Sequence, residues 1–374
     1  MLSSIAARSW SEALKAPDEV QISLFHRTLA NPCCSDDVKN GFRAFAADML
    51  RRGLIGMSEY VTILGGTALY CLEPGPQGDF QDMRTGQEAG ELAAIYSRAK
   101  YGGVDDIRYL ARRLVNYLYA ELDDPFSQWT AMFRDAKASG DCVVMMTTGW
   151  RNVPSTANIL YDIVVEAVNL KLAHLAFPTI INVKLPRLAP PCENYASLSL
   201  EEREQVNRVQ DHVIPAENFY RWSGVHVIFG DDVLVTGSTA DKVLYESLRN
   251  GGKSFRALYP VAIDPRVALT DAIIEDRLNG VAIGQRLGDA LAQLLSAPGY
   301  RPVLRTLRLV FGKDNQNALD AFLPMVPALT WLDLYKAALG NEFLTQAQCM
   351  PSLLLLRSYL TKLGLLNGVG RADL

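Results

Sequence analysis

Two adjacent acids, Asp231 and Asp232, stand directly after a short apolar run in VHVIFGDDVLVTGST, residues 225–239. An apolar run of this length is typical of a buried strand in a parallel sheet. The carboxyl ends of such strands are where open α/β sheets bind ligands. Two carboxylates at that position can accept hydrogen bonds from vicinal sugar hydroxyls or contribute to a metal site.

The residues after the two acids have the properties of a phosphate site. Thr236, Gly237, Ser238 and Thr239 precede a helical pattern, and the first turn of a helix offers unpaired N–H groups with a partial positive charge. Gly237 permits close approach of the backbone to phosphate oxygens. The three hydroxyl groups can donate further hydrogen bonds. Together, the two acids and the start of the helix predict a site for a phosphorylated sugar.

The pattern Asp-Asp-Val-Leu-x-Thr-Gly-x-Thr, residues 231–239, is similar to the phosphoribosyl pyrophosphate loop of type I phosphoribosyltransferases. The resemblance implies that Asp231 and Asp232 bind the ribose hydroxyls and that Val235 to Thr239 hold the 5′-phosphate. Gly230 departs from the family pattern, which has an apolar residue before the acids. The alternative is an ordinary strand–turn–helix with an Asp-rich turn and a Thr/Ser cap.

The resemblance also implies an activity, transfer of 5-phosphoribosyl from its pyrophosphate to a small-molecule acceptor with release of pyrophosphate. Mg²⁺ is the expected cofactor because it binds through phosphates, water and few carboxylates. Asp231 and Asp232 would therefore contact it mainly through the substrate. Purines, pyrimidines, pyridines or another small molecule remain open as acceptors, and the family often forms homodimers.

A second loop of the family binds pyrophosphate after the first core strand. The matching segment is TTGWRN, Thr147 to Asn152, in which Thr148, Gly149, Trp150 and Arg151 are the candidate residues. Arg151 offers a positive charge to pyrophosphate oxygens, and Gly149 permits an unusual backbone angle. An ordinary strand–helix turn with an exposed Arg explains the segment equally well.

Two further candidates lie later in the chain. The family has a mobile loop that closes over the reaction and excludes water. The long segment 185–217 has the matching place, with Lys184 and Arg187 at its start, although a surface excursion is the alternative. Asp264 follows the last core strand and is a candidate on the acceptor side, or a cap for the next helix.

The segment IYSRAKYGGVDDIRYLARRL, residues 95–114, mixes aromatic and basic residues. It weakly resembles helical additions on bacterial phosphoribosyltransferase-like proteins. Arg98 and Lys100 would then reach the phosphates. The favoured interpretation is a solvated helical face with salt bridges.

The fold predicted from the pattern is α/β, with a mostly parallel sheet of the type I phosphoribosyltransferase kind and helical extensions at both ends. The core is predicted at residues 139–266, with strands near 141–148, 179–184, 224–229 and 255–263 and helices near 155–172 and 239–250. The flanking regions 1–138 and 267–374 are predicted to be helical, with a loop at 73–81.

Composition narrows the class of protein. The 374 residues carry a net charge of −4 and an apolar share of 49%, which suits a globular chain and argues against broad contact with nucleic acid. No apolar stretch is long enough to span a membrane, and the N-terminus does not resemble a secretory signal. Six scattered cysteines without a C-x-x-C pair and four histidines without ligand spacing predict reduced thiols and no zinc site. We therefore expect a cytoplasmic protein.

Two other functions fit the same loop. Proteins of this fold also sense phosphoribosyl pyrophosphate or a nucleotide without catalysis, since fold does not fix function. A phosphoribosyl pyrophosphate synthase also carries an Asp-Asp ribose loop, but it repeats the α/β domain, whereas this chain has one copy. The leading expectation is an enzyme of nucleotide metabolism.

Overall fold

The computed structural model describes residues 66–186 and 224–372, apart from positions 77, 84, 151, 236, 238, 241–242, 245–246, 248–249, 265–266, 269–270, 272, 368 and 371. Its strands are β1 Thr67–Pro74, β2 Phe80–Asp82, β3 Cys142–Trp150, β4 Ile180–Pro186, β5 Val225–Gly230, β6 Val233–Leu234 and β7 Ser254–Ile263. Its α-helices are α1 Gly90–Lys100, α2 Val104–Asp123, α3 Gln128–Ser139, α4 Thr156–His174, α5 Ile274–Asn279, α6 Asp289–Ser296, α7 Leu304–Phe311, α8 Gln316–Phe322, α9 Ala328–Leu339 and α10 Met350–Lys362. Within these residues, no helix combines the length and apolarity that crossing a bilayer requires.

The strands form one mixed sheet that is mostly parallel. Its order is β2-β1-β7-β5-β3-β4, and β6 pairs with β7. Every described pairing is parallel except that of β1 with β2. The α/β class and the parallel sheet predicted from the strand–helix alternation are therefore confirmed.

The sheet extends further toward the N-terminus than predicted. Residues 67–74, which carry part of a predicted helix and loop, form β1 and pair with β7 in parallel. Gly66, directly before β1, allows the chain to approach β7 closely, since a Cβ at this position would lie 2.6 Å from the Cβ of Ala257. The helical prediction for residues 1–138 is wrong in this segment, and residues 1–65 lie outside the described part of the chain.

The strand order changes direction between β3 and β5. From β3 the chain proceeds outward to β4, and then returns to β5 on the other side of β3. The last register pair between them is Thr147 with Gly230. In open α/β sheets such a reversal leaves a crevice at the carboxyl ends of the strands, where ligands bind. The Asp-Asp pair and the turn after β3 both lie at this crevice.

One face of the sheet is covered by α2 and α4, which pack against each other. Tyr161 of α4 is fully buried and lies against Gly230, where an added Cβ would be 2.6 Å from its ring. The Tyr161 hydroxyl donates to the carbonyls of Leu258 and Asp231, the latter at 3.2 Å. Gly230, the departure from the family pattern, is therefore explained by packing: this strand end has no room for a side chain.

The C-terminal region is helical as predicted from residue 274 onward and has its own apolar cluster, which also includes Tyr101 and Val153. Two contacts fasten it next to the crevice. Thr306 Oγ1 of α7 donates to the Tyr101 carbonyl at 2.7 Å. Asn152 Nδ2, in the turn after β3, donates to the Gly340 carbonyl.

Replacing Gly230 with Ala is expected to lower the free energy of unfolding by about 1–3 kcal/mol, because the new methyl group overlaps the Tyr161 ring. Denaturant unfolding measures the change. Gly284→Ala is the matched control, since a Cβ at Gly284 meets nothing within 4 Å, and its effect should stay within about 0.5 kcal/mol. Equal stability of the two variants would contradict this packing account.

Candidate functional site

Asp231 and Asp232 occupy the point at which β5 separates from β3 but stays beside β7. Gly230 pairs with Leu258, and Val233 pairs with Val261, so the register with β7 is unbroken across the two acids. Pairing with β3 ends at Gly230. The two acids therefore follow the last residue that joins the halves of the sheet, at the crevice expected from the strand order.

Asp232 is buried and forms an ion pair with Lys100, the last residue of α1. Lys100 Nζ lies 2.8 Å from Asp232 Oδ2 and 4.0 Å from Glu275 Oε1 of α5. Although burial opposes the charge of Lys100, the Asp232 carboxylate and its other neighbours raise its pKa above the ordinary value. Lys100 is thus held as an ammonium inside the site.

This contact corrects the favoured interpretation of residues 95–114 as a solvated face. The interpretation holds for Arg98, whose side chain is 38% exposed and pairs with Asp106 at 2.7 Å. It is wrong for Lys100, whose side chain is only 15% exposed. Residues two positions apart on a helix face different directions, which explains why the two basic residues differ.

Asp231 is partly buried, and its environment disfavours its charge. Burial, followed by the charge of Asp232, raises the pKa of the Asp231 carboxyl well above its ordinary range, and Lys100 offsets only part of this. Asp231 Oδ1 accepts a hydrogen bond from the Asp232 backbone N–H at 2.9 Å. Burial and the neighbouring Asp232 thus disfavour the ionised form of Asp231, which a nearby cation or hydroxyl donors would favour.

The segment after the acids leads from β6 into a helix, and three of its five predicted phosphate-loop residues are described. Gly237 has a φ of +74°, a conformation that glycine adopts without strain. Thr239 is the first of the helical positions 239, 240, 243, 244 and 247. Val235 lies at a bend between β6 and this helix. Thr236 and Ser238 lie outside the described residues.

The turn after β3 begins later than predicted, because the strand continues to Trp150 with an irregular register after Thr147. Gly149 has a φ of +80°, in agreement with the prediction of an unusual angle there. Ser155 caps α4 and donates to the Thr148 carbonyl at 3.1 Å, and Asn158 Nδ2 donates to Thr147 Oγ1 at 2.7 Å. The start of α4 thereby fixes the strand end beside Asp231. Arg151 lies outside the described residues.

The remaining predicted residues are less closely connected with the acids. Lys184 lies within β4, where its Nζ is 2.8 Å from Asp162 Oδ2, rather than in a loop. Arg187 lies outside the described residues. Asp264 is buried, and its backbone N–H donates to the Leu72 carbonyl of β1 at 2.8 Å. Roles for these residues in closure or acceptor binding stay predictions.

Two residues of the site, Tyr161 and Glu275, were missed from sequence. Burial, then the charge of Asp231, raises the pKa of Tyr161 well above its ordinary value, so its hydroxyl stays a donor to the strand carbonyls. Glu275 lies in α5, beyond the predicted core. Neither residue belongs to a motif, and only the distances across the folded chain associate them with the acids.

Among the described residues, no group of three or more His, Cys, Asp or Glu side chains has an arrangement that could hold a metal ion. Comparison of the chain with models of known protein families, with curated proteins and with solved structures found no match.

Replacing Asp231 with Asn is expected to stabilise the protein at neutral pH and not in acid. Because the folded-state pKa of Asp231 is raised, the wild-type protein loses free energy of unfolding as pH rises from about 4, the ordinary carboxyl pKa, through the raised value. Asn has no charge to bury, so the variant avoids this loss.

Denaturant unfolding at about pH 4 and about pH 8, in metal-free buffer, measures the effect. Asp333→Asn is the control, because Asp333 is exposed on α9, and it should change stability little at either pH. An Asp231→Asn variant less stable than wild type at the higher pH would show that the carboxylate is not destabilising.

Proposed function

We propose that this protein transfers 5-phosphoribosyl from phosphoribosyl pyrophosphate to a small-molecule acceptor and releases pyrophosphate, with Mg²⁺ as cofactor. The observation that carries the proposal is the pair Asp231 and Asp232 at the reversal of strand order, followed by the left-handed Gly237 and the helix start at Thr239. The phosphoribosyltransferase kind of α/β fold belongs to the same proposal.

Each part of the site has a use in binding the donor. The Asp231 and Asp232 carboxylates accept hydrogen bonds from the ribose 2′- and 3′-hydroxyls. The unpaired N–H groups at the helix start bind the 5′-phosphate. The strand end at Thr148 and Gly149 lies beside the acids and offers its backbone to the pyrophosphate. This division of the site accounts for both loops at the crevice.

In the transfer, the bond between the anomeric carbon and pyrophosphate breaks and its electron pair leaves with pyrophosphate. An acceptor atom forms the new bond to that carbon, and an acceptor N–H or O–H proton passes to solvent. The carboxylates stabilise positive charge that develops on the sugar. Asp231 and Asp232 would hold Mg²⁺ mainly through the substrate, and the ion would neutralise charge that develops on the pyrophosphate oxygens.

The acceptor side has a structural candidate in the C-terminal helices. Thr306 contacts the residue after Lys100, and Gly340 contacts the turn after β3. These two contacts attach the C-terminal helices to segments next to the acids, and we infer that the acceptor binds on this side, outside the α/β core.

The double variant Asp231→Asn, Asp232→Asn is expected to lower pyrophosphate release by at least about a hundredfold, because the sugar loses both charged acceptors. The assay couples pyrophosphate release to a panel of purine, pyrimidine and pyridine acceptors. Omitting the acceptor or chelating Mg²⁺ should remove the signal from the wild-type protein. Circular dichroism should show that the variant remains folded.

Two results would overturn this function. Full activity of the double variant would remove the acids from the site. Tight binding of phosphoribosyl pyrophosphate by calorimetry, without turnover on any acceptor, would favour a sensor that binds the same ligand.

A further inference from the structure

Lys100 joins the two loops of the candidate site. Its backbone lies at the start of α4, where Thr156 Oγ1 donates to the carbonyls of Ala99 and Lys100 at 3.2 and 3.3 Å. Its ammonium reaches Asp232 at 2.8 Å. The turn after β3 leads directly into α4. Lys100 therefore extends from the proposed pyrophosphate side of the crevice to the proposed ribose side.

The position of Lys100 is fixed by its neighbours. The carbonyl of the next residue, Tyr101, accepts from Thr306 at 2.7 Å. The ammonium also lies 5.8 Å from the centroid of the Tyr96 ring, one helical turn earlier, where an aromatic face attracts a cation. A long, otherwise flexible side chain is thus directed into the crevice before any ligand is present.

A lone pair of Asp232 that accepts from the Lys100 ammonium cannot at the same time accept from a sugar hydroxyl. A donor with a pyrophosphate group brings several anionic oxygens of its own, and an ammonium has three N–H groups that can turn toward them. Glu275 Oε1 lies 4.0 Å from the ammonium nitrogen, so Lys100 has a second acid nearby. The hydroxyls of the sugar then replace the ammonium as hydrogen-bond donors to Asp232.

We propose that Lys100 is a pyrophosphate-binding residue that pairs with Asp232 in the free protein and turns to the pyrophosphate oxygens of the donor when it binds. Asp232 is then free to accept from the ribose hydroxyls. This inference rests on the proposed function and names the residue that selects a pyrophosphorylated sugar over a sugar monophosphate.

The test compares three ligands by calorimetry in the presence of Mg²⁺: phosphoribosyl pyrophosphate, inorganic pyrophosphate and ribose 5-phosphate. Lys100→Met should bind the first two about ten- to a hundredfold more weakly, the effect of one lost charged hydrogen bond. Its affinity for ribose 5-phosphate should not fall, because this ligand lacks the pyrophosphate and Asp232 no longer pairs with Lys100. Lys100→Arg should restore part of the pyrophosphate affinity, since the charge is kept.

Lys171→Met is the matched control. Lys171 also forms an ion pair, at 2.5 Å, but its partner Asp123 has a side chain that is 61% exposed. It should bind all three ligands as wild type does. Equal losses of Lys100→Met on ribose 5-phosphate and pyrophosphate would indicate a structural role and overturn the inference, and so would unchanged pyrophosphate binding.

A second comparison can be used if Lys100→Met fails to fold because Asp232 is left unpaired. Asp232→Asn alone and Asp232→Asn with Lys100→Met both lack that buried charge. The double variant should bind inorganic pyrophosphate about tenfold more weakly than the single variant, and equal affinities would overturn the inference. If the wild-type protein does not bind phosphoribosyl pyrophosphate, the proposed function itself fails. If the wild-type protein binds it and the Lys100 variant binds it equally well, only the role of Lys100 is rejected.

Discussion

The contact between Tyr161 and Gly230 is the constraint on which the crevice depends. The Tyr161 ring occupies the space that a side chain at position 230 would need, and its hydroxyl joins the carbonyls of Asp231 and Leu258. One residue of α4 thus determines how the ends of β5 and β7 lie against the helical layer. The same helix begins with Ser155 and Asn158, which bind the end of β3. Helix α4 therefore positions both strand ends that border the site.

Burial of charge at this crevice has an energetic consequence. A buried carboxylate is costly unless it is paired, and removing one partner of a buried pair is costlier still. Asp232 has Lys100 as its partner, whereas Asp231 retains a raised pKa. Such an imbalance is common at functional sites, where unfavourable charge is retained because a ligand relieves it. In the proposed function, Mg²⁺ and the ribose hydroxyls would relieve this unfavourable charge.

Local sequence patterns predicted the elements whose causes are local. Helix α4 and the strands β3, β4, β5 and β7 lie close to their predicted bounds, and α1 and α2 lie in the N-terminal region that was predicted to be helical. The strand β1 was missed because its partner β7 lies far along the chain, and parallel pairing of distant segments leaves little local signal. Lys100 was assigned to a solvated face for a similar reason. The pattern of α1 shows that Lys100 is basic and helical, but only the fold brings Asp232 to it.

The position of Lys100 also explains why helices outside the sheet matter to a site inside it. Helix α1 precedes the predicted core and α7 follows it, yet Lys100 projects from the end of α1 into the crevice, and Thr306 of α7 holds the residue next to Lys100. Movement of the C-terminal helices would therefore be transmitted to the ammonium through Tyr101 and to the turn after β3 through Asn152. Because both routes end at the crevice, a ligand bound against the C-terminal helices and one bound by Asp231 and Asp232 would act on the same short segments. In the proposed transferase, coupling between acceptor and donor would then require only these two contacts and no long pathway.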